Sequence, residues 1–261
     1  MSDKYVVIPP TQEIKDAVNL LDDLIGRFLT AGIGLTIGEY EADAESVNLM
    51  RLVIRHVEGV ILLAKEDLVL LPAALSMART AFELGVKINW LLQPDDPFAR
   101  EARWLSQLRN GEEYYKKTSD VLAKFNVDNQ YFKGREKMIK EFREGITKLL
   151  PSEHKVVNKM PNLRDMLVAL KDEERYVLYI HLSQYTHGSH FATEVYRKNL
   201  GTKQVFGEHI EPSNWQVPLA ACWYTMATAA TLVISRLNGN VSAYITQELA
   251  DKMSETLKKI L

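Results

Sequence analysis

The chain has 261 residues, with 32 Lys and Arg against 34 Asp and Glu and a formal charge of −2, a balance that argues against a strongly basic protein coating nucleic acid. Its 46% hydrophobic and 25% charged residues exclude disordered and collagen-like classes. The single cysteine, Cys222, excludes an intrachain disulfide and a cysteine-rich zinc site.

The opening MSDKYVVIPP has no cationic stretch before its short apolar run, so it does not read as a secretory signal and cytoplasmic residence is the expectation. Beyond it, apolar residues recur at spacings of three and four with no convincing alternating run, which predicts an all-α protein. The expected organisation is a single bundle-like domain over residues 1–261, with eight or nine helices, an extended arm at 1–10 and a surface loop at 199–213.

Thr11 is placed to cap a first helix running to about Ala31, with Glu13 and Asp16 in its first turns. The glycine-rich AGIGLTIGEYEAD interrupts the pattern before a second helix from Ala44 to Lys65 and a third from Leu68 to Leu92. Asp95 or Asp96 followed by Pro97 predicts the start of a fourth helix reaching Phe125, since proline lacks an N–H that the first turn leaves unpaired. A charged helix over Tyr131 to Leu150, a polar connection from Pro151 to Pro161 and a short helix over Leu163 to Lys171 follow. Helices over Glu173 to Tyr196, Asn214 to Leu237 and Val241 to Leu261 complete the chain. Val217 to Ser235 is 19 residues without a charge, but Pro218, several threonines and many alanines make it read as a core helix rather than a membrane span.

Two polar stripes stand on otherwise apolar helices. Ser76, Arg79, Thr80, Glu83 and Lys87 share one arc of the third helix, where Arg79 and Glu83 can pair across a turn. The stripe reads either as a wet face or as the wall of a pocket. In HLSQYTHGSHFATE, Ser183, His187, His190 and Glu194 follow at i, i+4, i+7 and i+11, one face of a helix if the helix is continuous. A metal there would need a ligand from another helix, such as Glu83, so no metal and no cofactor is assigned. Cys222, between Ala221 and Trp223, reads as a buried small hydrophobe. Tyr114 and Tyr115 before Lys116 and Lys117 read as half-buried tyrosines beside a charged face, with Glu112 and Glu113 opposing phosphate.

AALSMARTAFELGVKINWLL, a long charged helix after it and the later LSQYTHGSH together resemble a group of bacterial all-helical proteins grouped as a domain of unknown function, over residues 45–235. The resemblance implies an all-helical fold and a shared polar site near Arg79, Glu83, Tyr185 and His187, and implies no reaction. By analogy with helical proteins that accompany phage-defence systems, it suggests a nucleotide or RNA partner. Arg51 to His56 and Arg175 to His181 also resemble the short Arg-then-His signature of the HEPN ribonucleases, in which the histidine moves a proton and the arginine stabilises phosphate charge. A spacing this short arises about once by chance in such a chain, the residues after the arginines are Leu52 and Tyr176, and on a regular helix Arg175 and His181 point apart.

The resulting expectation is a binding or regulatory protein with a pocket of Arg79, Glu83, Tyr185, His187 and His190. The alternatives are a metal-independent ribonuclease using Arg175 and His181, and a self-associating protein whose homodimer interface is the small-residue helix Ala220 to Ala230 with the terminal helix.

Overall fold

Helix starts are fixed by side-chain caps where the sequence supplies them. In the computed structural model, which describes residues 7–199, 201 and 205–261, the Thr11 hydroxyl accepts the Ile14 N–H at 3.4 Å and opens α1 (Gln12–Gly32). Asp96, with Pro97 behind it, accepts the Phe98 N–H at 3.0 Å and opens α4 (Pro97–Lys124). Both satisfy donors that a first helical turn cannot pair internally. Between them, α2 (Glu41–Glu66) begins three residues before the predicted Ala44, and a 3₁₀ turn (Leu68–Leu70) leads into α3 (Leu71–Leu92). α5 (Gln130–Leu149) and α6 (Leu163–Ala169) follow.

The all-α expectation holds, and the departures lie towards the C-terminal end. The helix predicted over Glu173 to Tyr196 is three pieces: a 3₁₀ turn (Glu173–Arg175), α7 (Tyr176–Thr186) and a second 3₁₀ segment (Phe191–Tyr196). Gly188, at φ +59°, stands in the interruption, a backbone region that favours glycine. The predicted surface loop contains part of a two-residue antiparallel ladder, β1 (Arg197–Lys198) with β2 (Val205–Phe206). Positions 200 and 202–204 of that loop, like 1–6 of the predicted arm, lie outside the described residues. The helix predicted over Asn214 to Leu237 is α8 (Gln216–Thr225), a π turn (Met226–Ala230) and α9 (Thr231–Arg236), and the terminal helix divides into α10 (Val241–Tyr244) and α11 (Gln247–Ile260).

α3 lies at the centre. It buries Leu75, Ala78, Phe82 and Val86 and packs against α2, α7 and α8. Its C-terminal carbonyls are capped by arginines from elsewhere: Arg103 donates to the Trp90 carbonyl, and Arg236 to those of Leu92 and Gln93 at 3.0 and 3.1 Å. Cations are favoured at that end of a helix. The small-residue helix proposed from sequence as a dimer interface is instead used inside the chain, with Ala221, Cys222, Met226, Ala229 and Ala230 all in the main core. α11 likewise buries Leu249, Met253 and Ile260 there, beside α1.

The Leu68–Leu92 and Pro212–Arg236 stretches are long and apolar enough to cross a membrane by length and composition, and core helices meet the same test. Both contribute to the main core here.

Candidate functional site

The α3 stripe is half-buried along its length and opens onto a groove. Thr80, Glu83 and Lys87 form one wall of a hollow of about 690 Å³; Asn110 of α4, Lys159 and Met160 of the connection before α6, and Asp165 and Met166 of α6 form the others. The groove exists because the chain crosses α3 before turning into α6, where the Asn162 side chain accepts the Asp165 N–H at 3.0 Å and starts the helix.

Arg79 stands beside this groove and Glu83 on its wall. Arg79 Nη2 lies 2.7 Å from Glu83 Oε1, and the same nitrogen donates to the Tyr179 hydroxyl on α7 at 3.2 Å, with the guanidinium 5.2 Å from that ring's centre. Glu83 is therefore neutralised by its neighbour. Lys87 is not: among the described residues no carboxylate lies within 4.0 Å of its ammonium. Burial pulls its pKa below the usual lysine range, while Glu45 and Glu83 act at longer range to hold it up. Glu45 accepts a hydrogen bond from Gln107 Nε2 at 2.5 Å, and burial pushes its carboxyl above the ordinary carboxylate range. Asn110 Oδ1 is buried with no hydrogen-bond partner, a condition that buried amides rarely tolerate without a ligand or water.

Groove residues therefore supply a cation, an unmet acceptor and an apolar wall of Leu84, Met160 and Met166. No histidine or cysteine lines it. Among the described residues, no group of three His, Cys, Asp or Glu side chains is placed to hold a metal ion.

The remaining residues singled out from the sequence lie elsewhere. Because α7 ends at Thr186, the predicted helical face of Ser183, His187, His190 and Glu194 does not form. Ser183 is buried, donating to the Tyr179 carbonyl at 2.7 Å, whereas His187 and His190 are exposed in the connection beyond the helix. His190's ring meets Arg197 Nη2 at 3.0 Å. Tyr185 packs with His181 and Phe191, ring centres 6.2 and 6.0 Å apart, and burial raises the tyrosine's pKa and lowers the histidine's. The structure thus joins Arg79 and Glu83 to α7 through Tyr179. No described contact joins them to Tyr185, His187 or His190.

Arg175 and His181 are also engaged separately. Arg175 lies 3.5 Å from Asp172 and 4.7 Å from the centre of the Tyr224 ring, while His181 sits in the aromatic cluster. Arg51 is exposed and donates to Asn48 Oδ1 at 3.2 Å, and His56 is half-buried with its pKa lowered by burial. Neither pair is linked by a described contact. Cys222 is fully buried, and burial pushes its thiol far up.

Sequence reasoning placed Lys87 on the stripe without singling it out, and missed Glu45, Gln107 and Asn110. The usable signal was a lone lysine inside a helix whose other faces are apolar. The three partners come from other helices and carry no local pattern.

An all-helical protein with a mixed-charge groove on its central helix is the class these observations define. The chain belongs to a family of unknown function, DUF5677, which it matches over residues 46–204. That span contains α3, α4 and α6 and so the whole groove. No curated protein and no solved structure matches the chain significantly.

Proposed function

We propose that this protein binds a small anionic ligand with an apolar portion in the α3 groove, acting as a binding or regulatory component rather than an enzyme. A nucleotide is the ligand class that fits best. Its phosphate would pair with the Lys87 ammonium, its base would lie against Met160 and Met166, and an exocyclic amine would donate to Asn110 Oδ1. The observation that carries the reading is Lys87, a half-buried cation with no described carboxylate in contact. A buried unpaired charge is costly to folding and is retained where something else uses it. No histidine or cysteine lines the groove, and the Thr80 hydroxyl on its wall is engaged with the Ser76 carbonyl, which favours binding over catalysis.

The test is calorimetric titration with nucleoside mono-, di- and triphosphates, alongside thermal unfolding. Binding should raise the unfolding temperature, and Lys87→Met should weaken the affinity about tenfold or more, as expected for a lost charge-assisted contact. If no nucleotide binds at millimolar concentration, or if Lys87→Met binds as the parent does, the assignment fails.

A further inference from the structure

The α4–α5 hairpin carries an apolar face that the rest of the chain leaves uncovered. On α4 and at its C-terminal cap, Tyr114, Val121 and Phe125 recur at i, i+7 and i+11; on α5, Tyr131, Met138 and Phe142 repeat the same spacing, with Leu149 seven residues further on. Each set is one stripe. All seven side chains are exposed, Phe125 by 73%, Tyr131 by 67% and Leu149 by 78%. α5 buries none of its residues, although its apolar residues are concentrated on one side.

The two stripes belong to one surface. The seam between the helices is made by Tyr115 against Phe132, ring centres 6.2 Å apart, and by Arg143 on Glu112 at 3.0 Å. At 3.6 residues per turn these seam residues sit roughly 100° further round each helix than its stripe. Because the helices run antiparallel, a rotation of the same sense on both brings the stripes out on the same side of the hairpin.

We infer that this face is the interface between two copies of the chain, which associate through their α4–α5 hairpins as a four-helix bundle. The area is sufficient: with large side chains each presenting on the order of 100 Å², the patch supplies roughly 700–900 Å² per copy, near the ~800 Å² per partner of a stable interface. The helix surface also suits close approach. Gly134 and Gly145 lie within the exposed α5 beside the stripe, and a β-carbon built on either meets nothing within 4 Å. Helix-interior glycine is unfavourable, and here the fold of a single copy gives it no packing role. The flanking turns carry both signs of charge, Lys117, Asp120 and Lys124 on α4 and Lys137, Glu141 and Lys148 on α5. That pattern fits a self-complementary partner better than a uniformly acidic or basic one.

The experiment is sedimentation equilibrium on the full chain across about 1–100 µM, the range in which standard-size interfaces of modest affinity associate. The parent should sediment as a dimer at the upper end. Tyr131→Glu/Met138→Glu should sediment as a monomer with unchanged circular dichroism and unfolding temperature at low concentration, because both side chains are already exposed. Gly134→Leu should weaken association while leaving the monomer as stable or more so. Leu62→Glu, an exposed apolar position on α2, should leave the dimer intact. A parent that is monomeric throughout, a dimer that survives Tyr131→Glu/Met138→Glu, or a monomer that co-sediments with phosphatidylcholine vesicles would each overturn the assignment, the last by giving the face to lipid.

Discussion

A β-carbon built on Gly85 of α3 falls 2.5 Å from Thr225 Cγ2 on α8, closer than real carbon atoms approach. The two helices are held together at the point where one has no side chain and the other a branched one. Gly85→Ala should therefore destabilise the protein by about 1–3 kcal/mol, the usual cost of overfilling a packed core. Thr225→Ser removes the offending methyl, so Gly85→Ala/Thr225→Ser should recover part of the loss. Denaturant unfolding of the three variants checks both statements.

Arg100 and Asp43 form a pair 3.3 Å apart with both side chains buried, joining α4 to the first turn of α2. Arg100 also donates to the carbonyls of Pro94 and Asp95 at 3.2 and 3.0 Å. Arg100→Met leaves a buried carboxylate without its cation and should cost about 3–5 kcal/mol, whereas Arg100→Met/Asp43→Asn should cost less than the sum of the single changes. Unfolding free energies around this double-mutant cycle decide it.

Beside that pair, Glu101 accepts the Ala42 N–H at 2.7 Å and so caps α2 from another helix. Burial is the largest influence on its carboxyl and raises its pKa. In the folded chain Glu101 therefore holds its proton to higher pH than in the unfolded chain, and its contribution to stability falls as pH rises from the ordinary carboxylate range to the raised folded value. Glu101→Gln keeps an acceptor for Ala42 and removes this fall. Stability measured between about pH 4 and pH 7 should decline less steeply in Glu101→Gln than in the parent, a window set by the ordinary carboxylate pKa.

Lys87 is a position where the proposed binding role and the fold make opposite demands. Its pKa is lowered by burial, so at neutral pH the charged form weakens the fold, and stability recovers as pH rises from the depressed folded value towards the unfolded one. Lys87→Met should leave stability unchanged or increased while it weakens nucleotide binding. Binding of an anion by the parent should also fall on the alkaline side at a pH below that of an ordinary lysine. Calorimetry against pH reads the second effect, and thermal unfolding reads the first.

Cys222 is fully buried with its thiol pKa pushed far up. In the native protein it should react with a thiol reagent only at the rate of transient opening, and in denaturant it should react at once. Absorbance during labelling in buffer and in guanidinium shows the contrast.

How far the sequence reaches is clear from particular residues. Thr11 and Asp96 announce their helices because a cap is a local event, decided by three or four neighbouring residues. The α3 stripe is equally readable, since apolar residues on the other faces leave Ser76, Arg79, Thr80, Glu83 and Lys87 on one arc. What could not be read is which part of that stripe meets which neighbour. Asn110 and Glu45 reach the groove region from α4 and α2, and nothing near them in the chain says so. His187 and His190 misled for the opposite reason: their spacing is helical, but Gly188 takes a left-handed conformation between them and the helix stops.

The π turn at Met226–Ala230 works as a phase shifter. A wide turn accommodates one residue more than the α-helical path needs, so everything after it is rotated by about 100° relative to an uninterrupted helix. Downstream of it, Val233 and Ile234 face the core and Arg236 reaches the end of α3. Removing a single residue from the turn would restore the α-helical path and leave Val233, Ile234 and Arg236 where they stand, whereas removing one from α9 ahead of them would rotate Val233 and Ile234 away from the core and Arg236 away from the carbonyls it caps. The alignment of the end of the chain with the central helix is thus set by where an extra residue is absorbed, and a change of length that this turn takes up would be costly a few residues away.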